Sequence, residues 1–589
     1  MHRLLCSISI TTGGMTFLWG LKRPSGVIDY YLRRTQRVDG KPKVVMNIYL
    51  GTADRILELY QRGGVADEDF RLISFQFGTI AAIASADREL GFTEIVRDVT
   101  KSDATADALL SFVCGRSEEP LSKSAMEEWS RRSALRFLRA LPSLSSRSYL
   151  RYMDRLTQEH VSQVSFRIAK KLIEMGHDPS IVFFDTTNFS TEQQPRDGEE
   201  RTLPRPGHAK DHNSQARLVG LATATTGGPN FLPVMHETYE GNEQDVTVFQ
   251  RTIDSMIETL QKLGVRCEDI CFVFDKGMNS EDGFSALTGS DAHFVSSLKR
   301  NQVEEGLLRL GPGDYTGAYE TEQGEEIRTL RRGKEVTVMG VNGIVVLAYN
   351  SAAERRQHED YQSARRRFVE GCENISRSLA SRNNNEHRRG RPPTVEGTTR
   401  RVIALAPEKW RRVFRFRVGN TLDSDEKITL TYWVDAKAER EKMKGFGRTA
   451  VFTDMVDWDD EKIVRTYFAR GGMEEDYHVL KDALLFPVMP IYHRLDPRIR
   501  AHVFMCVMGL LFYRYMQWRI EKETGDRIPI ARMVSDLKRI RLGGLITKNG
   551  ARYDGDGKRR KRIRFKLEDM GEEEKKIVGV FKMEEFVPN

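Results

Sequence analysis

Cysteine is scarce in this sequence: six residues (Cys6, Cys114, Cys267, Cys271, Cys372 and Cys506) among 589. So few, so unevenly spread, exclude a disulfide-stapled scaffold and fit a reducing compartment. Cys267 and Cys271 form a C-x3-C pair, but no second Cys/His pair stands at zinc-site spacing, so they read as partly buried cysteines. Long apolar runs are missing too. Residues 4–20 are apolar but interrupted by Ser, Thr, Gly13 and Gly14, and they fall short of a full span. They make a poor signal peptide, and Met15 stands as an alternative start to Met1. The expectation is a cytoplasmic protein with no membrane partner. Nor does one sign of charge dominate, since 92 Lys+Arg against 84 Asp+Glu leave +8. A surplus that modest implies a nucleic-acid partner only where the basic groups cluster.

What is present is a chain long enough to build at least one large core, at a length that suits roughly three to four domains. IDYYLRRTQRV, DGKP and KVVMNIYLG read as a β-hairpin. Residues 53–175 carry mostly helical patterns, with Arg131, Arg132, Arg136, Arg139, Arg147, Arg151 and Arg155 scattered over them. They suit a solvated face or a DNA-contacting one. From 180 the texture changes. IVFFD is an apolar run ending in Asp185, ARLVGLATATTGG and FLPVMHETYEG are two more strand candidates, and 244–264 has helical spacing. DICFVFD ends in Asp275, and AHFVSSLK is a further strand, so the segment predicts a mixed α/β sheet. Residues 301–440 read as a partly β insertion around an exposed polar stretch at 381–393. From 459 the chain turns helical again, with the apolar RIRAHVFMCVMGLLFYRYMQWRI expected to pack under the sheet. In the tail KRRKRIRFK, seven of nine residues are basic, suiting either a solvated tail or phosphate contact.

The chemistry-bearing residues are acids. Asp185 and Asp275 each close a strand-like run, where a side chain projects from a sheet edge, and a third carboxylate would complete a divalent-metal site. Tyr467, Arg470, Glu474 and Lys481 follow at separations of three, four and seven. At about 3.6 residues per turn this places all four on one helical face, although Gly471 and Gly472 favour a kink or a late helix start. Glu475 and Asp476 compete with Glu474 as the third acid. His208 and Lys210 could approach the same region or lie at a strand end, and His478 and His493 sit near the third acid without an assigned role.

IVFFDTTNFSTE, FVFDKGMNSED and Tyr467-x2-Arg470-x3-Glu474-x6-Lys481 together resemble the three signatures of IS4-type DDE transposases. The text around them (YYLRRTQRVDGKPK, GHAKDHNSQARLVGLA, LKDALLFPVMPIYHRLDPRIRAHVFMC) is similar to the IS1634-like branch. The resemblance spans most of residues 25–545 and departs at Gly471 and Gly472, where relatives commonly carry a bulky residue. It implies an α/β fold whose ribonuclease H-like mixed-sheet core is interrupted by a β-rich insertion, with a mainly helical N-terminal region. The implied organisation is an extension over 1–24, a DNA-end-binding region over 25–175, the core in two parts over 176–300 and 441–530, the insertion over 301–440, and a basic C-terminal region over 531–589. Asp185, Asp275 and Glu474 would be catalytic and hold two Mg2+ ions, with Mn2+ as a substitute, while Tyr467, Arg470 and Lys481 would bind DNA. The spacing from the latter three selects Glu474 over its neighbours.

The implied function is that of an insertion-sequence transposase, cytoplasmic and nucleoid-associated. It would bind terminal inverted repeats and cut and join DNA, as a homodimer in a synaptic complex with target DNA. Residues 496–589 are a candidate for part of the protomer interface. The alternative is a catalytically silent, transposase-derived DNA-binding protein. An aspartyl-phosphate phosphatase, suggested by FFDTT, lacks the second Asp two residues on, where Thr187 stands.

Overall fold

The computed structural model describes residues 7–8, 14–23, 27–38, 41–62, 71–191, 193, 203–207, 217–227, 231–303, 310–321, 324–331, 335–384, 392–421, 424–553 and 559–588. Runs of β-branched and aromatic residues form the strands of its largest sheet. β1 (Ile181–Thr191), β2 (Arg217–Thr226) and β3 (Pro233–Glu240) make an antiparallel meander. After α1 (Asp245–Lys262), β4 (Cys271–Phe274) runs parallel to β1. After α2 (Glu281–Gly289), β5 (His293–Ser297) runs parallel to β4. Parallel neighbours need a crossover, and the two helices supply it. The resulting order is β3-β2-β1-β4-β5. Asp185 does not end its strand, because β1 continues to Thr191. Asp275 directly follows β4.

The sheet then continues into the region expected to be a separate insertion. β6 (Gly317–Glu320), β7 (Glu326–Arg331) and β8 (Val341–Asn350) join it through β9 (Arg448–Thr453), which pairs antiparallel with β5. Residues 301–440 also hold α3 (Ser351–Asn383), a helix of 33 residues capped by Asn350, whose side chain accepts from Ala353 N at 2.9 Å. The expected β-rich insertion is therefore a mixture, with much of its β structure belonging to the main sheet. The helical signal was diluted: Tyr361, Ala364, Phe368, Cys372, Ile375 and Leu379 form a buried seam at three- and four-residue steps, but charged residues fill the intervals. The seam packs on the hairpin Phe414–Thr421 and Ser424–Val434.

α4 (Asp460–Ala469) and α5 (Gly471–Lys481) cover one face of the sheet and α1 and α2 the other. Alternation along a strand sends successive side chains to opposite faces. Phe184 and Phe274 accordingly join the α1–α2 side, while Phe183, Val273 and Val295 join Ile463, Val464 and Met473 on the other. Each fully buried phenylalanine contributes about 1.5–3 kcal/mol relative to leaving it exposed.

α6 (Asp496–Thr524) opens on a proline in its first turn and ends at Gly525 in the left-handed conformation, with φ 77°. Its apolar residues face many directions because it is enclosed. Helices Gly78–Leu90, Asp103–Glu118, Ser146–Asp154 and Gln158–Glu174 share its core, together with Ile530–Arg539 and Glu572–Val580. Most of α6 is thus buried in its own chain and does not present the protomer surface considered for residues 496–589. Two of the scattered arginines serve this body: Arg139 pairs with Asp87 at 3.1 Å and Asp107 at 2.9 Å, and Arg155 donates to Ser102 at 2.8 Å.

The basic tail is structured where described. Arg559–Leu567 pairs with Arg541–Tyr553, which pairs with Arg71–Gln76, and Phe565 packs against Phe137 with ring centroids 4.7 Å apart. Near the N-terminus the expected hairpin forms from Ile28–Val38 and Lys41–Thr52, and Gly14–Lys22 adds a third strand across residues read as an extension. Among the described residues no helix is long and apolar enough to cross a membrane.

Candidate active site

The two-residue alternation that splits the core also places the acids. Asp185 lies two residues beyond Phe183, Asp275 two beyond Val273 and Ser297 two beyond Val295, so all three project on the face covered by α4 and α5. Asp185, opposite Thr223 in the β1–β2 register, has a side chain 16% exposed. Asp275, beyond the carboxyl end of β4, is 33% exposed. The turn after it is pinned by Asn279, which donates to Ser297 O at 2.8 Å and accepts from Ser296 Oγ at 2.6 Å.

Asp459 starts α4 by accepting from Lys462 N at 2.7 Å. α4 stops at Ala469 and α5 begins at Gly471, so the single helical face expected for four signature residues is divided between two helices at Arg470. Tyr467, on α4, is buried. Its hydroxyl is the donor within hydrogen-bond distance of both Asp275 Oδ1, at 3.1 Å, and Ser297 Oγ, at 2.8 Å. Burial, then the Asp275 charge, pushes the phenol's pKa up, so it stays protonated and available as a donor.

Arg470 stands at the centre. Its Nη1 is 3.5 Å from Asp185 Oδ2, and its Nη2 is 3.7 Å from Asp275 Oδ1 and 4.0 Å from Glu474 Oε1. Burial pulls its pKa down, but Tyr467, Asp185, Asp275 and Glu474 outweigh that and raise it, so the guanidinium is charged. Glu474 occupies the first turn of α5, where the helix dipole favours an acid, and its side chain is 72% exposed. Lys481, two turns further on, lies 5.9 Å from the Phe189 ring rather than in the acid cluster.

The three adjacent acids of α5 have different partners. Glu475 Oε2 accepts from Arg514 Nη1 at 3.0 Å, and the buried Asp476 accepts from Arg514 Nε at 2.5 Å. Only Glu474 of the three lies within ion-pair distance of Arg470 among the described contacts. Gly472 is required here: a Cβ on it would lie 2.1 Å from a ring atom of Phe231, whereas one on Gly471 would meet nothing within 4 Å. A larger side chain thus has room at 471 and none at 472.

Other candidates fall away from the cluster. His208 and Lys210 lie outside the described residues. His478 faces Asp482 at 3.9 Å. His493 is buried beside His502, with ring centroids 5.2 Å apart, and burial lowers its pKa to about 2. Cys271 is buried in β4, and Cys267 accepts from Gln261 Nε2 at 2.9 Å, as ordinary thiols. The sequence reading missed Ser297, Arg514 and the buried 2.7 Å hydrogen bond between Tyr477 and Thr223, which ties α5 to β2 opposite Asp185. The period-two step from Val295 marked Ser297, but no local signal marked Arg514.

Carboxylate oxygens without thiol or imidazole suit a hard divalent ion. Among the described residues no three ligand-type side chains stand close enough to enclose one. The acids instead surround the Arg470 guanidinium, with Glu474 the most exposed of the three.

An α/β protein whose mixed sheet gathers two aspartates and a glutamate beside an arginine has the residue set of a polynucleotide-processing enzyme. The chain belongs to the transposase DDE domain family, which matches residues 176–511, more than half its length and the whole of this cluster. No curated protein matches it.

Proposed function

We propose that this transposase is the DNA-cleaving and strand-joining enzyme of an insertion sequence, built on a ribonuclease H-like core. The strand order β3-β2-β1-β4-β5, three antiparallel strands followed by two parallel ones, supports that core. The observation that carries the functional reading is the convergence of Asp185, Asp275 and Glu474, from three distant segments, around Arg470.

Asp185, Asp275 and Glu474 would hold two Mg2+ ions, or Mn2+ in their place. Bound there, such ions supply the charge for in-line displacement at a phosphodiester, by water in cleavage and by a 3′-hydroxyl in joining. The chain's own groups prepare that site. Tyr467, itself bonded to Ser297, holds one Asp275 oxygen in a set direction. Arg470, with donors in a planar fork, is suited to grip a phosphate once the carboxylates have another cation. Lys481 lies seven residues along α5 from Glu474 and would act on the backbone as a point charge. Tyr467 was expected to contact DNA, but buried and bonded to Asp275 it serves better as a positioning group.

The remaining assignments follow from this reading. Residues 25–175 would recognise the inverted repeats, and two protomers would hold the two ends with target DNA. The test is cleavage of a labelled duplex carrying the inverted-repeat end that flanks the gene, in Mg2+, by the wild type and Asp185→Ala. Metal-dependent nicking that the substitution abolishes while binding persists is the expected result. Binding without nicking by either protein would mark a silent DNA-binding protein instead.

A further inference from the structure

Arg514 lies in the middle of α6 with a side chain 0% exposed, so it cannot touch DNA or solvent in this arrangement. Burying a guanidinium is costly unless its donors are matched, and here they are. Nε donates to Asp476 Oδ1 at 2.5 Å, Nη1 to Glu475 Oε2 at 3.0 Å and to Gln517 Oε1 at 2.8 Å, and Nη2 to Gly472 O at 2.9 Å. Three of these four acceptors belong to α5. They span its first and second turns, so one rigid planar fork restrains both the position of α5 on α6 and its rotation about its own axis. Phe231 closes the contact, with its ring centroid 5.8 Å from the guanidinium carbon and against Gly472.

Rotation of α5 matters because of what its other side carries. Successive residues on a helix are about 100° apart, so Asp476 points roughly 200° round from Glu474. Holding Asp476 and Glu475 against α6 therefore turns Glu474 toward Asp185 and Asp275. Glu474 itself, exposed and 4.0 Å from Arg470, has no comparable restraint among its described contacts. We propose that Arg514 is a positioning residue for the acid cluster: through Gly472, Glu475 and Asp476 it sets the direction in which Glu474 projects. This rests on the function proposed above.

The test separates orientation from mere core stability. In the full chain, Arg514→Met combined with Asp476→Val removes both buried charges together, and Arg514→Lys keeps the charge but loses the fork. Measured properties are the melting temperature, affinity for the inverted-repeat duplex, Mn2+ binding by the DNA complex, and the Mg2+ concentration for half-maximal nicking. The double variant should melt near the wild type and bind DNA equally well. Its Mn2+ affinity should fall, and its Mg2+ midpoint rise, by about 10- to 100-fold, as for other groups that orient metal ligands. Arg514→Lys should fall between the two, and it carries the test if the double variant does not fold. Wild-type Mn2+ affinity and Mg2+ midpoint in a folded double variant, or in Arg514→Lys, would overturn the inference while leaving the proposed function intact. A wild-type chain that neither binds Mn2+ nor cuts DNA would overturn the proposed function, and this inference with it.

Discussion

Adjacent glycines at the start of α5 should respond to the same substitution with opposite signs. Alanine at 472 would place its Cβ 2.1 Å from one Phe231 ring atom and 2.5 Å from two others. Carbon atoms pack at about 3.5–4.0 Å, so the ring must retreat by about 1.4 Å or α5 must shift by as much. Retreat is obstructed, because Phe231 is buried, packs on Phe183 with centroids 5.2 Å apart, and has a backbone φ of 43° that a bulky residue rarely adopts. Overpacking of this kind costs about 1–3 kcal/mol, and the clash here is at the upper end. Replacing a helical glycine returns about 1 kcal/mol, leaving a net loss of about 2 kcal/mol. Alanine at 471 meets nothing within 4 Å and keeps only the gain, up to about 1 kcal/mol. Thermal unfolding of the full chain should show Gly471→Ala melting at or above the wild type and Gly472→Ala below it. Nicking should fall in Gly472→Ala alone, since α5 carries Glu474. Equal or greater stability in Gly472→Ala, or an equal loss in Gly471→Ala, would refute the packing argument.

Three further outcomes follow from the site and its surroundings. Tyr467→Phe removes one hydrogen bond to Asp275 while keeping the ring, so nicking should fall about 5- to 10-fold, matching a bond of about 1 kcal/mol, with DNA affinity unchanged; an unaltered rate would show that the phenol does not position Asp275. Arg470→Gln removes the cation among three carboxylates, so Mn2+ binding without DNA should tighten while DNA cleavage falls; weaker Mn2+ binding in calorimetry would contradict this. His493 and His502 have pKa values lowered by burial to about 2 and about 4, below the unfolded value near 6.5. The unfolded chain therefore binds more protons as pH falls from about 6.5, and their stabilising contribution is lost in that direction. The melting temperature of His493→Gln should fall less between pH 7 and pH 5 than that of the wild type, and parallel curves would count against the reading.

How far the site was legible depends on the range of the interaction. Asp185 and Asp275 could be found because an apolar run followed by an acid is a local pattern, and the step of two along a strand carries each acid to the same face as Phe183 and Val273. The spacing of Arg470 and Glu474 was likewise local. The break between α4 and α5 was half legible: two glycines weaken a helix, but where it stops depends on Phe231 and Arg514 packed against Gly472. The seam of α3 was present in the sequence, hidden by the charges between its apolar steps. In the tail, Ile563, Phe565 and Leu567 alternate with Arg564 and Lys566, a strand pattern masked by the density of basic residues.

By itself, then, the sequence determined the elements and the chemistry: strands where β-branched and aromatic residues run together, helices where apolar residues recur at three and four, and a set of acids with an arginine beside them. Tertiary structure alone decided which groups act together. Spacing singled out Glu474, but the partners of its neighbours came from Arg514, some forty residues along the chain, whose buried guanidinium must satisfy its donors and pairs with Glu475 and Asp476 while Glu474 stays beside Arg470. The withdrawal of Tyr467 from the surface was made by Ser297 and Asp275, and the enclosure of α6 by helices from the first third of the chain. Each of these joins residues far apart in sequence inside a water-excluded interior, where apolar surface gains by burial and polar groups must find partners, and no local spacing encodes which distant surface they will meet.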